Sequence, residues 1–272
     1  MSPEESPRRN PTRNFVVAID GPAGAGKSTI ARHLARHYGL LNLETGAMYR
    51  AFALKALRLE VPLDDPAALQ LLATETEIEL ESGEDENRVL LDGEDVTGQI
   101  RNHTVTDAAS RVSIYPAVRA SMVKRQQEMA TKGGVVMEGR DIGTVVFPDA
   151  EVKIFLDAAP EVRGMRRYDQ IGQKGKPTAP PEEVIRDLRA RDERDRNRAD
   201  SPLRPAPDAF LIDSTNLTLD EVLKAAESAV DAWLAKTSSS ATSRNTTKTS
   251  PTPATELDTM QSGIGIGYGA YP

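Results

Sequence analysis

No cysteine occurs among the 272 residues. That excludes a disulfide framework, a Cys-ligated zinc or iron–sulfur centre and a thiol nucleophile, and it fits a reducing, cytoplasmic setting. Histidine is almost as scarce, at three (His33, His37 and His103), which argues against a histidine-rich metal centre. Positive charge is in deficit: 34 Lys and Arg stand against 41 Asp and Glu, a net charge of −7. A chain of that sign suits sequence-independent nucleic-acid binding poorly, because such binding is driven by neutralising phosphates. Long apolar runs are missing as well. The longest is about five residues, against the roughly 20 a bilayer-spanning helix needs, so no membrane partner is expected. The opening MSPEESPRRNPTRN has no apolar h-region, so a signal peptide is not expected either.

What remains has the balance of a globular protein. Apolar residues make up 39% and charged residues 28%, and 19 glycines bring the apolar share near the usual value. Collagen, wholesale disorder and a coiled coil are excluded for the chain as a whole. The ends differ from the middle. Residues 1–14 are rich in Pro, Arg and Asn without periodicity and read as a disordered extension. Residues 237–272 are mostly Ser, Thr, Pro, Gly and Ala, with only Arg244, Lys248, Glu256 and Asp258 charged. Such a segment buries too little apolar surface to offset its ordering entropy and reads as a disordered tail.

Between them, over 15–236, short apolar runs alternate with amphipathic stretches. FVVAID (15–20), LLNLE (40–44), VVME (135–138), VKIFLDA (152–158) and AFLIDS (209–214) read as strands. Helices are expected over 26–38, 47–59, from Asp65-Pro66 onward, 116–132, 160–171, 181–198 and 218–234. Asp65-Pro66 suits an N-cap followed by proline at the first helical position, and Thr218 with Glu221 forms a capping box. Strands separated by helices imply an α/β fold with a parallel sheet between two helical layers. EIELES and RVLLDG flank GEDEN as a β-hairpin, with DVTGQIR expected to add a third strand, so about 75–100 is a small β-rich insert.

The sharpest motif is Gly21-Pro22-Ala23-Gly24-Ala25-Gly26-Lys27-Ser28, followed by Thr29, between the first strand and the first helix. It fits G-x-x-x-x-G-K-[ST], the P-loop of NTPases. The glycines let the loop curl so that backbone N–H groups face phosphate oxygens, and the following helix points its positive end at the same place. Lys27 supplies a charge for the β- and γ-phosphates, and Ser28 a hydroxyl for Mg²⁺. ATP with Mg²⁺ is the expected co-substrate. No N-K-x-D guanine-reading element is present, and no apolar strand ending in D-E. Instead, Glu44-Thr45-Gly46-Ala47-Met48-Tyr49-Arg50 follows the second strand, and Gly139-Arg140-Asp141-Ile142-Gly143-Thr144 follows VVME. Ligands in such folds bind beyond the carboxyl ends of the strands, which places Arg50, Arg140 and Asp141 at one crevice.

Over 186–198, Arg186, Arg189, Arg191, Arg194, Arg196 and Arg198 alternate with Asp187, Asp192, Glu193 and Asp195. Some of these form a solvated, salt-bridged face. The Gly- and Pro-rich QIGQKGKPTAPP (170–181) before them suits a hinge, so about 170–200 is expected to be a helical lid whose arginines close over the transferring phosphoryl group.

The order GPAGAGKST, LETGAMYR, LLDGEDVTGQIR, AASRVS, EGRDIGTVVFPDAEVKIFLDA, RDERDRNRADSPL and LIDSTNLTLDEV resembles the bacterial cytidylate kinases over about 15–235. Adenylate and guanylate kinases share the first block but not EGRDIGTVVFPDA or RDERDRNR. The resemblance implies phosphorylation of CMP and dCMP by ATP with Mg²⁺, in a monomer with a core, an enlarged monophosphate-binding region and a lid. It implies that Thr45, Arg50 and Arg140 hold the CMP phosphate and that Ser110, Arg119 and Asp141 line the nucleoside pocket. Arg191 and Asp195 would contact the sugar, and Arg198 belongs to the lid. Lys27, Arg140, Arg191 and Arg198 would carry the charge neutralisation. A carboxylate accepting from the cytosine amino group, with an arginine donating to the ring acceptors, is what cytosine's edge requires. One departure is Glu44, where the family pattern carries Asp, so Glu44 is not expected in the site. Two other readings use the same cradle. A UMP-type kinase is disfavoured by Asp141, which repels a uracil carbonyl. A non-catalytic nucleotide sensor would not need the full arginine set.

Overall fold

The computed structural model describes residues 15–81, 83, 87–131, 133–173 and 179–245. Five strands form one parallel sheet: β1 (Val16–Asp20), β2 (Leu41–Glu44), β6 (Val135–Gly139), β7 (Val152–Asp157) and β8 (Phe210–Asp213), in the order β2-β6-β1-β7-β8. β1 lies at the centre and is covered on both faces, which is why its sequence is apolar without alternation. Val17 and Ile19 point to one face, against Ile30 and Leu34 of α1 (Lys27–Tyr38) and Val222, Ala226 and Val230 of α8 (Leu219–Asn245). Ala18 points to the other, in a cluster with Leu43, Met137 and Ile142 that is flanked by Val123 and Met129 of α5 (Pro116–Ala130). The chain leaves β1 toward β2 and leaves β6 toward β7, on opposite sides. That reversal opens a crevice beyond the C-terminal ends of β1 and β6.

A second packed unit surrounds α2 (Thr45–Arg58), whose Met48, Ala51, Phe52 and Ala56 are buried with residues of α3 (Pro66–Thr74), α4 (His103–Val112) and α5. Against α2 lies the insert, an antiparallel sheet of β3 (Ile78–Glu81), β4 (Arg88–Leu91) and β5 (Glu94–Asp95). The expected caps form: Asp65 accepts from the Ala67 and Ala68 N–H groups at 3.0 Å, and Thr218 and Glu221 bond reciprocally. The remaining helices, α6 (Pro160–Gln173) and α7 (Pro181–Asn197), lie side by side. Gly164 makes their closeness possible, since a Cβ there would stand 2.2 Å from Ile185 Cγ1.

The structure departs from the sequence reading in three places. The third insert strand is only Glu94–Asp95, and Gln99–Arg101 is a 3-10 turn rather than strand. Helix α4 was not expected at all. Its signal is Asn102, whose side chain accepts from the Val105 N–H at 2.8 Å as an N-cap. The last helix does not stop near Leu234 but continues to Asn245, so 237–245 is helical and not part of a disordered tail. Residues 1–14 and 246–272 lie outside the described residues. The chain divides into two units, Met1–Leu234 and Ala235–Pro272. Among the described residues no helix is long and apolar enough to cross a membrane.

Candidate active site

The phosphate loop is shaped by its glycines. Gly24 and Gly26 have φ of 76° and 101°, conformations L residues avoid. Gly21, at φ 150°, also has no room: a Cβ would lie 2.0 Å from the Leu156 carbonyl oxygen of β7. Lys27, the first residue of α1, is buried and donates to the Pro22 carbonyl at 2.8 Å. Burial lowers its pKa to about 7, with Arg140 and Arg191 adding repulsion that Glu138 and Asp20 only partly offset. Pro22 therefore holds the lysine in place, while the Ala23 N–H is already engaged. It donates to Asp192 Oδ1 of α7 at 3.3 Å. Arg163 of α6 completes a clamp, donating to the Ala23 carbonyl at 3.0 Å and to Asp192 Oδ2 at 2.5 Å.

Beyond the loop, positive charge is concentrated. Arg140 follows β6 and donates to Asp195 Oδ2 of α7 at 2.9 Å. Arg191 is half-buried, and desolvation lowers its pKa to about 10, with repulsion from Arg140 and Arg50 adding to the shift. Arg50 donates to Glu44 Oε1 at 2.5 Å, and Arg101 stands 3.6 Å from the other oxygen. Burial alone would raise the Glu44 pKa, but Arg50 and Arg101 outweigh it and hold the carboxyl below its usual range. Arg167 of α6 is lowered mainly by burial and then by Arg50 and Arg101, so it faces the same group. Arg50 Nε, Arg191 Nε and Arg198 Nη2 are buried without a hydrogen-bond partner. Buried donors of this kind are costly unless something accepts from them. A cluster of like charges with open donors is suited to an anion.

A third group lies at the end of β6. Asp141 precedes a single π-helical turn, Ile142–Val146. Asp20, at the end of β1, accepts from the Ile142 and Gly143 N–H groups at 2.8 Å each and so fixes the loop that carries Asp141. Burial raises the Asp20 pKa to about 6 despite those two bonds. Arg119 of α5 donates to Asp141 Oδ2 and, at 3.3 Å, to the Ser113 carbonyl. Arg198 Nη2 lies 3.7 Å from Asp141 Oδ1. The Tyr49 ring lies beneath the Arg119 guanidinium, 5.8 Å away. On α4, Ser110 is tied into the same turn through its carbonyl, which accepts from Ser113 Oγ at 2.9 Å. Its own Oγ is buried and unpartnered.

A family model described as "Cytidylate kinase" matches residues 17–232. The chain belongs to the cytidylate kinase family. It is 45% identical to the cytidylate kinase of Pasteurella multocida over 223 residues, covering 82% of this chain and 98% of that one. It is 50% identical to that of Pelotomaculum thermopropionicum over 209 residues, covering 76% and 92%. A bifunctional pantoate ligase/cytidylate kinase of a Synechococcus strain is 48% identical over 224 residues, which is 41% of its length.

In this cytidylate kinase the residues picked from the sequence fall into the three groups just described. Lys27, Arg140, Arg191 and Asp195 meet at the loop, and Arg119, Asp141 and Arg198 form a connected set. Thr45 donates to the Glu138 carbonyl of β6 at 2.7 Å, which fixes the start of α2. Gly139 must be glycine there, since a Cβ would fall 2.8 Å from Thr45 Oγ1. The outward arginines of α7 pair elsewhere: Arg189 with Glu161, Arg194 with Asp107, and Arg196 with Asp157.

Sequence reasoning left out several residues of the crevice. Glu44 is one, and it pairs there with Arg50 and Arg101. Arg101, Arg167, Asp20 and Glu138 are others. Glu138 is buried, with its pKa raised by desolvation and by Glu44, opposed by Lys27 and a hydrogen bond from Ser28. Arg101 stands in LLDGEDVTGQIR and Glu138 in EGRD, so both were visible as parts of blocks. Only the folded chain brings them beside Lys27 and Arg50.

Proposed function

We propose that this cytidylate kinase transfers the γ-phosphate of ATP to CMP or dCMP, giving CDP or dCDP. The observation that carries the reading is the single clustered set of buried Lys27 with half-buried Arg140, Arg191 and Arg50, in which the ATP loop and the second phosphate site share one field. Separate phosphate sites would not need to place these charges in mutual repulsion. Two phosphates brought together there offset that repulsion and are held for in-line transfer.

Lys27 neutralises the β- and γ-phosphates from the loop side. Thr45, Arg50 and Arg140 orient the acceptor's phosphate, whose own oxygen is the nucleophile, so no general base is required. Arg191 stabilises the charge that spreads over the transferring group. Asp195 holds Arg140 and, with Arg191, is placed for the sugar. Ser28 would hold Mg²⁺ together with ATP, and the neighbouring Glu138, with Oε1 buried and unpartnered, suits an oxygen-seeking ion. That ion would screen the β- and γ-phosphate charge. Helices α6 and α7 act as the lid, with Arg198 closing over the nucleoside. The kinase domain spans 15–236. The protein works as a cytoplasmic monomer in pyrimidine nucleotide metabolism.

A coupled assay of ADP release across CMP, dCMP, UMP, AMP and GMP tests the reading. CMP and dCMP should turn over far faster than the rest. Equal turnover of UMP would assign the chain to a broader pyrimidine kinase, and no turnover of any monophosphate would reduce it to a nucleotide sensor.

A further inference from the structure

Two of the three histidines converge on one spot away from the crevice. His33 and His37 lie one turn apart on α1, so both imidazoles leave the same side of that helix. Helix α8 packs against α1 through Val222, Ala226 and Val230 and delivers Glu227 to the pair. His33 Nε2 is 2.6 Å from Glu227 Oε1, and His37 Nδ1 is 3.5 Å from the same oxygen. One ligand atom from each of the three residues lies within 4.8 Å of the others. Tyr38 steadies the α8 side, donating to the Glu227 carbonyl at 3.2 Å and to Asp231 Oδ1 at 2.8 Å.

We propose that His33, His37 and Glu227 form a binding site for a borderline divalent transition ion of the Zn²⁺ class, with water completing its shell. Two imidazoles and one carboxylate make up the donor set of three-ligand zinc sites. Mg²⁺ prefers an all-oxygen shell and would not be drawn to it. Ligand atoms at roughly 2.1 Å around a tetrahedral ion stand roughly 3.4 Å apart. The His37–Glu227 separation already has that value, and the shorter His33–Glu227 hydrogen bond has to open by less than about 1 Å. The side chains can make this adjustment because they are 34%, 52% and 26% exposed for His33, His37 and Glu227. The same exposure admits the ion and its water. Coordination ties α8 to the helix that begins at Lys27. None of the three residues belongs to the crevice, so the site stands independently of the kinase reading.

Titration of the full chain with Co²⁺, whose visible absorption reports coordination, tests the site. One Co²⁺ per chain should bind with a four- or five-coordinate spectrum, be displaced by Zn²⁺ and not by Mg²⁺, and raise the melting temperature. Loss of an outer-shell partner alone weakens metal sites roughly 10–100-fold, so His33→Gln, His37→Gln and Glu227→Gln should each cost at least tenfold in affinity. His37→Gln changes a half-exposed ring and leaves folding out of the comparison. His103→Gln should change nothing. Absence of saturable binding, or affinity untouched by His33→Gln and His37→Gln, overturns the proposal.

Discussion

Lys27 is a buried ammonium whose ordinary charge is opposed by burial and by Arg140 and Arg191. With its pKa lowered to about 7, it holds its proton less firmly at pH 8 than an ordinary lysine does. A triphosphate in the loop restores the favourable field and draws the proton back. ATP binding should therefore bring net proton uptake at pH 8 and much less at pH 6, where Lys27 is already charged. Calorimetric titrations in buffers of different ionisation enthalpy measure this directly, and proton release at pH 8 would contradict it. Lys27→Ala should lower phosphoryl transfer by orders of magnitude with CMP and UMP alike, because every monophosphate meets the same lysine. Near-normal turnover in that variant would remove Lys27 from the chemistry. At this scale the sequence was informative wherever a residue type is tied to a local motif, as with Lys27, Ser28 and Asp141. It was silent on Glu44, Arg101 and Arg167, which matter through partners distant along the chain.

Among the elements, α6 and α7 are joined to the phosphate loop by the Arg163–Asp192 clamp on Ala23. Both side chains are buried, with Arg163 at 2% and Asp192 at 6% exposure. Asp192→Ala removes the nearer carboxylate of the buried guanidinium and leaves only Asp157, 4.0 Å away, facing it; breaking a buried pair in this way typically costs about 3–5 kcal/mol. Chemical denaturation should register a loss of that size, and a loss below 1 kcal/mol would mean the clamp is not formed in solution. Neither residue stood out in the sequence, where Asp192 was one acid among several in an arginine-rich run. The strands and most helices were legible from periodicity and caps. Helix α4 was not, because His103-Thr104-Val105-Thr106 is a weak opening turn that packing against α2 sustains. The end of α8 was misjudged because Thr237, Ser238, Ser239 and Ser240 read as loop, while the structure continues the helix through them.

For the whole molecule, every group of the crevice falls within Met1–Leu234, as does the family match. Removing 246–272 should leave CMP turnover unchanged and shift the melting temperature by no more than a few degrees. A larger drop would give those residues a structural role. The central claim is that one crevice joins two phosphates and reads cytosine through the Arg119–Asp141 pair. Cytosine presents an amino donor where uracil presents a carbonyl, and an ionised Asp141 can only accept. The most direct test is the ratio of kcat/KM for CMP to that for UMP, in the native protein and in Asp141→Asn. The asparagine keeps an acceptor for Arg119 and gains a donor for uracil, so losses in packing act on both substrates and leave the ratio. The ratio should favour CMP strongly in the native protein and fall roughly 5- to 150-fold in the variant, since an unpaired buried polar group costs about 1–3 kcal/mol. An unchanged ratio, with both substrates weakened by the same factor, would show that Asp141 does not read the base.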